Sequence, residues 1–200
     1  MLFRSQVHAI EVEWGQVFTP DMIEDALRSF KPKLVALCQG DTSTTMAQPL
    51  AEIGALCHRH DALLYVDATA SIVGMPLPVD AWHIDVVTCG LQKCLAGPSG
   101  IAPITLNERA AEHIKRRRHI EQGLQSTDYV AGRGRMIASN YFDLAMVMDY
   151  WSEQALNHHT EATTMLYAAR ECARITLLEG LDAVHARHAA ASRAMVAGLQ

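Results

Sequence analysis

The chain predicts an α/β fold built on a mostly parallel sheet, and two observations carry that expectation. Short, apolar, β-branched runs recur at Lys33–Cys38, Ala62–Asp67 and Ile84–Gly90. Between the first two of them lies a stretch of helical periodicity, so that strand, helix and strand fit within about thirty residues, the signature of a βαβ unit and hence of parallel pairing.

Taken in order, Thr19-Pro20-Asp21 starts a helix over about 20–30: a capping hydroxyl, a proline where its missing N–H is harmless, and an acid facing the positive end of the dipole. Lys33–Cys38, bounded by Pro32 and Gly40-Asp41, reads as a strand buried on both faces. A second helix is expected over about 47–60, then strands at Ala62–Asp67, Ile84–Gly90 and Ile101–Leu106. Asn107 is placed to cap a helix that ends in Lys115-Arg116-Arg117-Arg118. From about 140 onward the pattern is helical. One long helix is expected over Thr160–Leu178, stopped at Gly180, and another from Leu181 to Gln200 with no stop signal, as in a chain truncated within an element.

Of the 200 residues, 50% are hydrophobic and 20% charged, which describes a globular chain able to bury an ordinary core. The formal charge of -5 argues against a nucleic-acid surface, which carries a basic face. No signal peptide opens the chain, and no apolar run reaches the roughly eighteen residues of a membrane span, so a cytoplasmic protein is expected. The cysteines, 5 in number, are scattered and form no CxxC pair, so they read as reduced thiols rather than a disulfide frame or zinc site.

In open α/β sheets ligands bind beyond the carboxyl ends of the strands. Three polar stretches fall there: Gly40-Asp41-Thr42-Ser43-Thr44-Thr45, Asp67-Ala68-Thr69-Ala70-Ser71, and Gly90-Leu91-Gln92-Lys93 followed by Gly97-Pro98-Ser99-Gly100. A carboxylate ending one buried strand and an amine beyond the next suit pyridoxal 5'-phosphate (PLP), which needs a lysine for its Schiff base and an acid beside its ring nitrogen. Each residue alone has a plainer reading. Asp67 could simply end a strand, Lys93 could be a solvated charge, Gln92 could cap its turn, and Ser71 could satisfy backbone at a helix start. Specificity lies in the combination, with Lys93 26 positions after Asp67 and the hydroxyl turn ahead of both.

These residues resemble the class V, fold-type I PLP-dependent aminotransferases, of the alanine–glyoxylate and serine–pyruvate kind, and the likeness runs through nearly all of the chain. It implies a fold-type I large domain, a mostly parallel sheet sandwiched by helices and truncated at both ends. Residues 1–179 would belong to that PLP-binding domain and 180–200 would begin an incomplete small C-terminal domain. By the same resemblance Lys93 is the Schiff-base lysine and Asp67 the partner of the pyridine nitrogen. Thr42 reaches the phenolic oxygen, Thr69 packs on a ring face and Gln92 binds phosphate.

The family carries a Tyr-His-His-Thr stretch at its dimer interface, reaching the partner's phosphate site. Here the stretch is Asn157-His158-His159-Thr160. Thr160 keeps the phosphate role, in a homodimer whose site is shared between subunits. Asn157 resembles the (S)-ureidoglycine–glyoxylate branch of purine breakdown, where a ureido group offers amide-like hydrogen bonds. Leu91 departs from the small residue that many relatives have. The glycine-rich phosphate loop, the ring-stacking aromatic and the carboxylate-binding arginine of the family fall outside this chain, so the fragment alone is expected to be inactive.

The expected reaction is transfer of an amino group from a small donor to a 2-oxo acid, glyoxylate first, with alanine or serine as alternative donors. A desulfurase or lyase of the same fold is a further alternative, although desulfurases place histidine before the lysine where Gln92 stands. A non-catalytic module would have lost Asp67, Gln92 and Lys93. His158 and His159 are expected to pack at an interface and hold no metal, since adjacent side chains diverge. The Lys115–His119 run reads as a solvated helix end.

Overall fold

The computed structural model describes residues 6–119, 127–130, 132, 139–153 and 155–199. Helix α1 (Pro20–Phe30) begins as its sequence dictates: the Thr19 hydroxyl accepts the Met22 amide at 3.3 Å and Pro20 occupies the first turn. Its end is less ordinary, because Lys31 takes the left-handed conformation (φ 46°) and donates its N–H to the Leu27 carbonyl.

Four strands follow the spatial order β1 (Leu34–Cys38), β2 (Leu63–Asp67), β3 (Val86–Thr88), β4 (Ile104–Leu106). β1 and β2 run parallel, as do β2 and β3, with Cys38 opposite Asp67 and Asp67 opposite Thr88. Every strand is shorter than its apolar run, since a ladder ends where its neighbour stops. Pro103, which has no N–H, precedes β4 and accepts from Cys89 N at 3.0 Å. Helix α2 (Leu50–Arg59) starts three residues later than its periodicity suggests. A bridge between Gly40 and Ala47, and a bond from Gln48 N to Gln39 O, hold the chain before Pro49 in a hairpin-like loop instead.

Ile23 and Leu27 of α1 meet Leu50, Ile53, Leu56 and Cys57 of α2, Leu64, Val66 and Val87 of the sheet, and Ile84 just before β3. Burying one such aliphatic side chain is worth about 1.5–3 kcal/mol. Gly54 of α2 packs so closely that a Cβ there would overlap the Trp82 carbonyl oxygen. The core takes one face of the sheet. Contrary to the expectation of burial on both faces, β1 alternates, with Leu34, Ala36 and Cys38 exposed and Val35 and Leu37 turned toward the helices. Asp85, only 2% exposed, stitches β2 to the start of β3: its carboxylate accepts the Leu64 N–H at 2.7 Å and its own N–H donates to the Leu64 carbonyl.

The chain divides into two compact units, Met1–Thr105 with Thr163–Gln200, and Leu106–Ala162. The second holds α3 (Glu108–Lys115), whose Ala110 N–H is accepted by Asn107 Oδ1 at 2.9 Å as its sequence predicts. It also holds a 3-10 turn (Asn140–Phe142) and α4 (Leu144–Tyr150). Residues 155–162 are neither helix nor strand, so Thr160 precedes α5 (Thr163–Glu179) instead of starting it. Gly180 (φ 87°) separates α5 from α6 (Leu181–Leu199), and Gln200 lies outside the described residues. Among the described residues no helix is long and apolar enough to cross a membrane.

Candidate active site

Three loops leave the carboxyl ends of β1, β2 and β3. The first, after β1, is closed by bonds to Asp41: its Oδ1 accepts the Ser43 N–H at 3.0 Å, its Oδ2 accepts the Thr44 hydroxyl at 2.5 Å, and its N–H donates to the Met46 carbonyl. These bonds, the Thr44 hydroxyl foremost, hold the Asp41 carboxyl below the usual aspartate range. Thr42, between them, is exposed.

The second loop begins with Asp67, the last residue of β2, whose Oδ1 accepts the Thr69 N–H at 2.8 Å. That bond fixes one carboxylate oxygen at the strand end. Beneath it, the buried Ser71 hydroxyl donates to Gln39 Oε1 at 2.7 Å, and Gln39 Nε2 donates to the Pro76 carbonyl at 3.0 Å. Ser71 therefore ties the first loop to the second.

The third loop carries Lys93 at its tip. Gly97 N–H donates to the Leu91 carbonyl and Ala96 N–H to the Lys93 carbonyl, both at 2.8 Å, with Ala96 in the left-handed region (φ 56°). Leu91 is buried beneath the loop, against Gly97, which accounts for a large apolar residue there. Its burial leaves Lys93 exposed above it.

Asp67, Thr69, Lys93 and Thr42 line a single cavity of about 580 Å³. Gln92 does not line it, and its side-chain amide lies over Gly90 instead. Asn157 and Thr160 belong to the unit Leu106–Ala162. Cys38 and Trp14 are among the lining residues that the sequence does not single out. Cys38 faces Asp67 in the ladder, and Trp14, 83% exposed, stands on a turn closed by Gln16 N–H to Glu13 O with Gly15 at φ 84°. A Trp-Gly pair ahead of a helix cap was the available signal for that turn.

Burial, and after it the Asp67 charge, raise both the Cys38 and Cys89 thiols above their ordinary range, with Asp41 adding to the effect at Cys38. Both therefore stay protonated near neutrality. Among the described residues no group of three or more His, Cys, Asp or Glu is arranged to hold a metal ion. An amine, a fixed carboxylate and hydroxyls around a cavity within the usual 300–1,000 Å³ range of ligand sites fit the donor set that a phosphorylated pyridine aldehyde requires.

The sequence model of the family described as aminotransferase class-V matches residues 4–200. Over 200 residues the chain is 50% identical to the (S)-ureidoglycine--glyoxylate transaminase of Bacillus subtilis (strain 168), covering 99% of this chain and 48% of that protein. It is 32% identical over 202 residues to the alanine--glyoxylate aminotransferase of Drosophila melanogaster, with 99% and 47% covered. The crystal structure of ureidoglycine-glyoxylate aminotransferase from Bacillus subtilis superposes with a TM-score of 0.81 at 50% identity, over 92% of this chain and 43% of that one. The chain thus spans about half the length of the curated relatives it matches. By sequence and by fold, a fold-type I α/β architecture included, it belongs to the class-V aminotransferase family.

Proposed function

We propose that the full protein is a PLP-dependent aminotransferase that moves an amino group from (S)-ureidoglycine to glyoxylate, in the cytoplasm and in the breakdown of purines by way of allantoin. The observation that carries the reading is the cavity at the strand ends, where Lys93, Asp67, Thr42 and Thr69 meet. The 50% identity to a ureidoglycine–glyoxylate enzyme, against 32% to an alanine–glyoxylate one, supports the choice of donor.

Bound PLP supplies an electron sink for the carbanion formed at the donor's α-carbon. Lys93 Nζ would be the point of attachment, and as a free amine it would carry the donor's α-proton. The Asp67 carboxylate, steadied by the Thr69 amide, holds a proton on the pyridine nitrogen. Thr42 donates to the phenolic oxygen, the Thr69 side chain packs on the ring face, and Gln92 binds phosphate once its amide turns from Gly90. In a homodimer Thr160 reaches the other subunit's phosphate, and Asn157 hydrogen-bonds the ureido group of the donor. Residues 1–179 then form part of the large domain and 180–200 the beginning of the small one.

The test is made on the full protein. It should purify yellow, bleach on borohydride reduction, and lose both colour and turnover in Lys93→Ala. A Lys93→Ala variant with normal turnover would sink the reading. Donor identity is checked by comparing ureidoglycine, alanine and serine with glyoxylate as acceptor, in the wild type and in Asn157→Tyr. An unchanged donor preference in Asn157→Tyr would overturn the role given to Asn157.

A further inference from the structure

The segment 157–161 contains a hydrogen-bonded chain of side chains that the proposed chemistry does not use. His158 Nδ1 and His159 Nδ1 lie 2.7 Å apart, with the two rings at 88°. Facing ring nitrogens at that distance hold one proton between them. With none, two lone pairs oppose each other; with two, two N–H groups collide. On its other side His159 Nε2 lies 3.0 Å from Glu161 Oε1, and because a carboxylate only accepts, that nitrogen is the donor.

Two protonation states satisfy both contacts. In the neutral pair His158 donates from Nδ1 to His159 Nδ1. With one added proton His159 donates in both directions, to His158 and to Glu161. A second added proton leaves two N–H groups face to face, and the His158–His159 contact must open. Among the described residues, two tyrosine rings pack against the pair. Tyr150 of α4 has its ring centroid 5.1 Å from that of His159, and Tyr141 of the 3-10 turn lies 5.6 Å from His159 and 6.3 Å from His158. Because residues 155–162 form neither helix nor strand, their path rests on side-chain contacts of this kind.

We propose that the His158–His159–Glu161 chain is a positioning device for its flanking residues Asn157 and Thr160, one that tolerates a single added proton and releases them when both imidazoles are charged. This rests on the reading above that Thr160 serves the cofactor phosphate and Asn157 the donor. His159 is then a positioning residue, acting through its neighbours.

The experiment titrates the apo form of the full protein with PLP between pH 8 and pH 5.5, following absorbance, with melting temperature recorded alongside. His159→Phe keeps the ring against Tyr150 but loses both hydrogen bonds. It should weaken PLP binding at pH 8 about tenfold, the worth of one charge-assisted hydrogen bond, and raise the donor KM with a smaller change in kcat. His158→Asn retains a short amide that can meet His159 and cannot be charged. It should bind PLP like the wild type at pH 8 and lack the wild-type loss of affinity toward pH 5.5. Thr160→Ala separates the two levels of the claim. If Thr160→Ala weakens PLP binding and His159→Phe does not, the positioning device is overturned and the reading of Thr160 stands; if Thr160→Ala binds normally, both fall. Should His159→Phe not fold, an acid loss of affinity in His158→Asn equal to the wild type's overturns the proposal by itself.

Discussion

Cys38 and Asp67 sit opposite one another on the last rung of the β1–β2 ladder, on the sheet face turned away from α1 and α2. Although the residue is exposed, partial desolvation at the strand end raises the thiol first, then the Asp67 charge and the Asp41 charge. A raised thiol has less thiolate at a given pH, so at pH 8 Cys38 should react with iodoacetamide more slowly than an unperturbed exposed cysteine. Asp67→Asn removes one of the charges and should speed the alkylation, read by peptide mass spectrometry. Equal rates in wild type and Asp67→Asn would show that the two groups are not electrically coupled.

The same carboxylate gives a kinetic prediction. Asp67→Ala should lower kcat by roughly 10²–10³, the size found when one fixed charge partner of a developing charge is removed. Thr69→Ala keeps the amide that holds Asp67 Oδ1 and should cost much less. Steady-state kinetics on both variants, with PLP saturating, decide the point.

Asp85 is structural in this account. Removing its side chain in Asp85→Ala strands the buried Leu64 N–H and should destabilise the fold by about 1–3 kcal/mol, while Asp85→Asn, which retains an acceptor, should cost less. Denaturant melts measure both. A silent Asp85→Ala would mean that water replaces the carboxylate at no cost.

Gly54→Ala sets two effects against each other. Alanine favours a helix interior over glycine by about 1 kcal/mol, yet the new methyl meets a backbone carbonyl at Trp82 that cannot rotate away. Overpacking of this kind costs about 1–3 kcal/mol or more, so the variant should melt lower than wild type. A higher melting temperature would mean that the Trp82 segment yields easily.

What was legible in the sequence was what neighbouring residues decide. Thr19 and Asn107 cap helices where they were expected to, because a cap is settled within four residues. The strand segments, and the place of Asp67 at the end of one and Lys93 after the next, follow from apolar runs and the polar stretches that end them. What escaped depends on distant partners. Ile84–Gly90 supplies only Val86–Thr88 to the sheet, because pairing stops with β2 and Asp85 bonds through its side chain. Thr160 stands outside α5, beside a glutamate engaged with His159. Trp14 stands on a turn that Gly15 marks locally, but that the turn brings it to the cavity depends on residues distant in the chain.

The strand order has a consequence for how the cavity comes into being. β1, β2, β3 and β4 are neighbours in space in the order in which they occur along the chain. Each of these four strands therefore docks on an edge that its predecessor has just supplied, and none of the four waits for another made much later. The edge bearing Asp67 and Lys93 can be assembled from the first hundred or so residues of this sequence, with its ligand groups delivered one loop at a time.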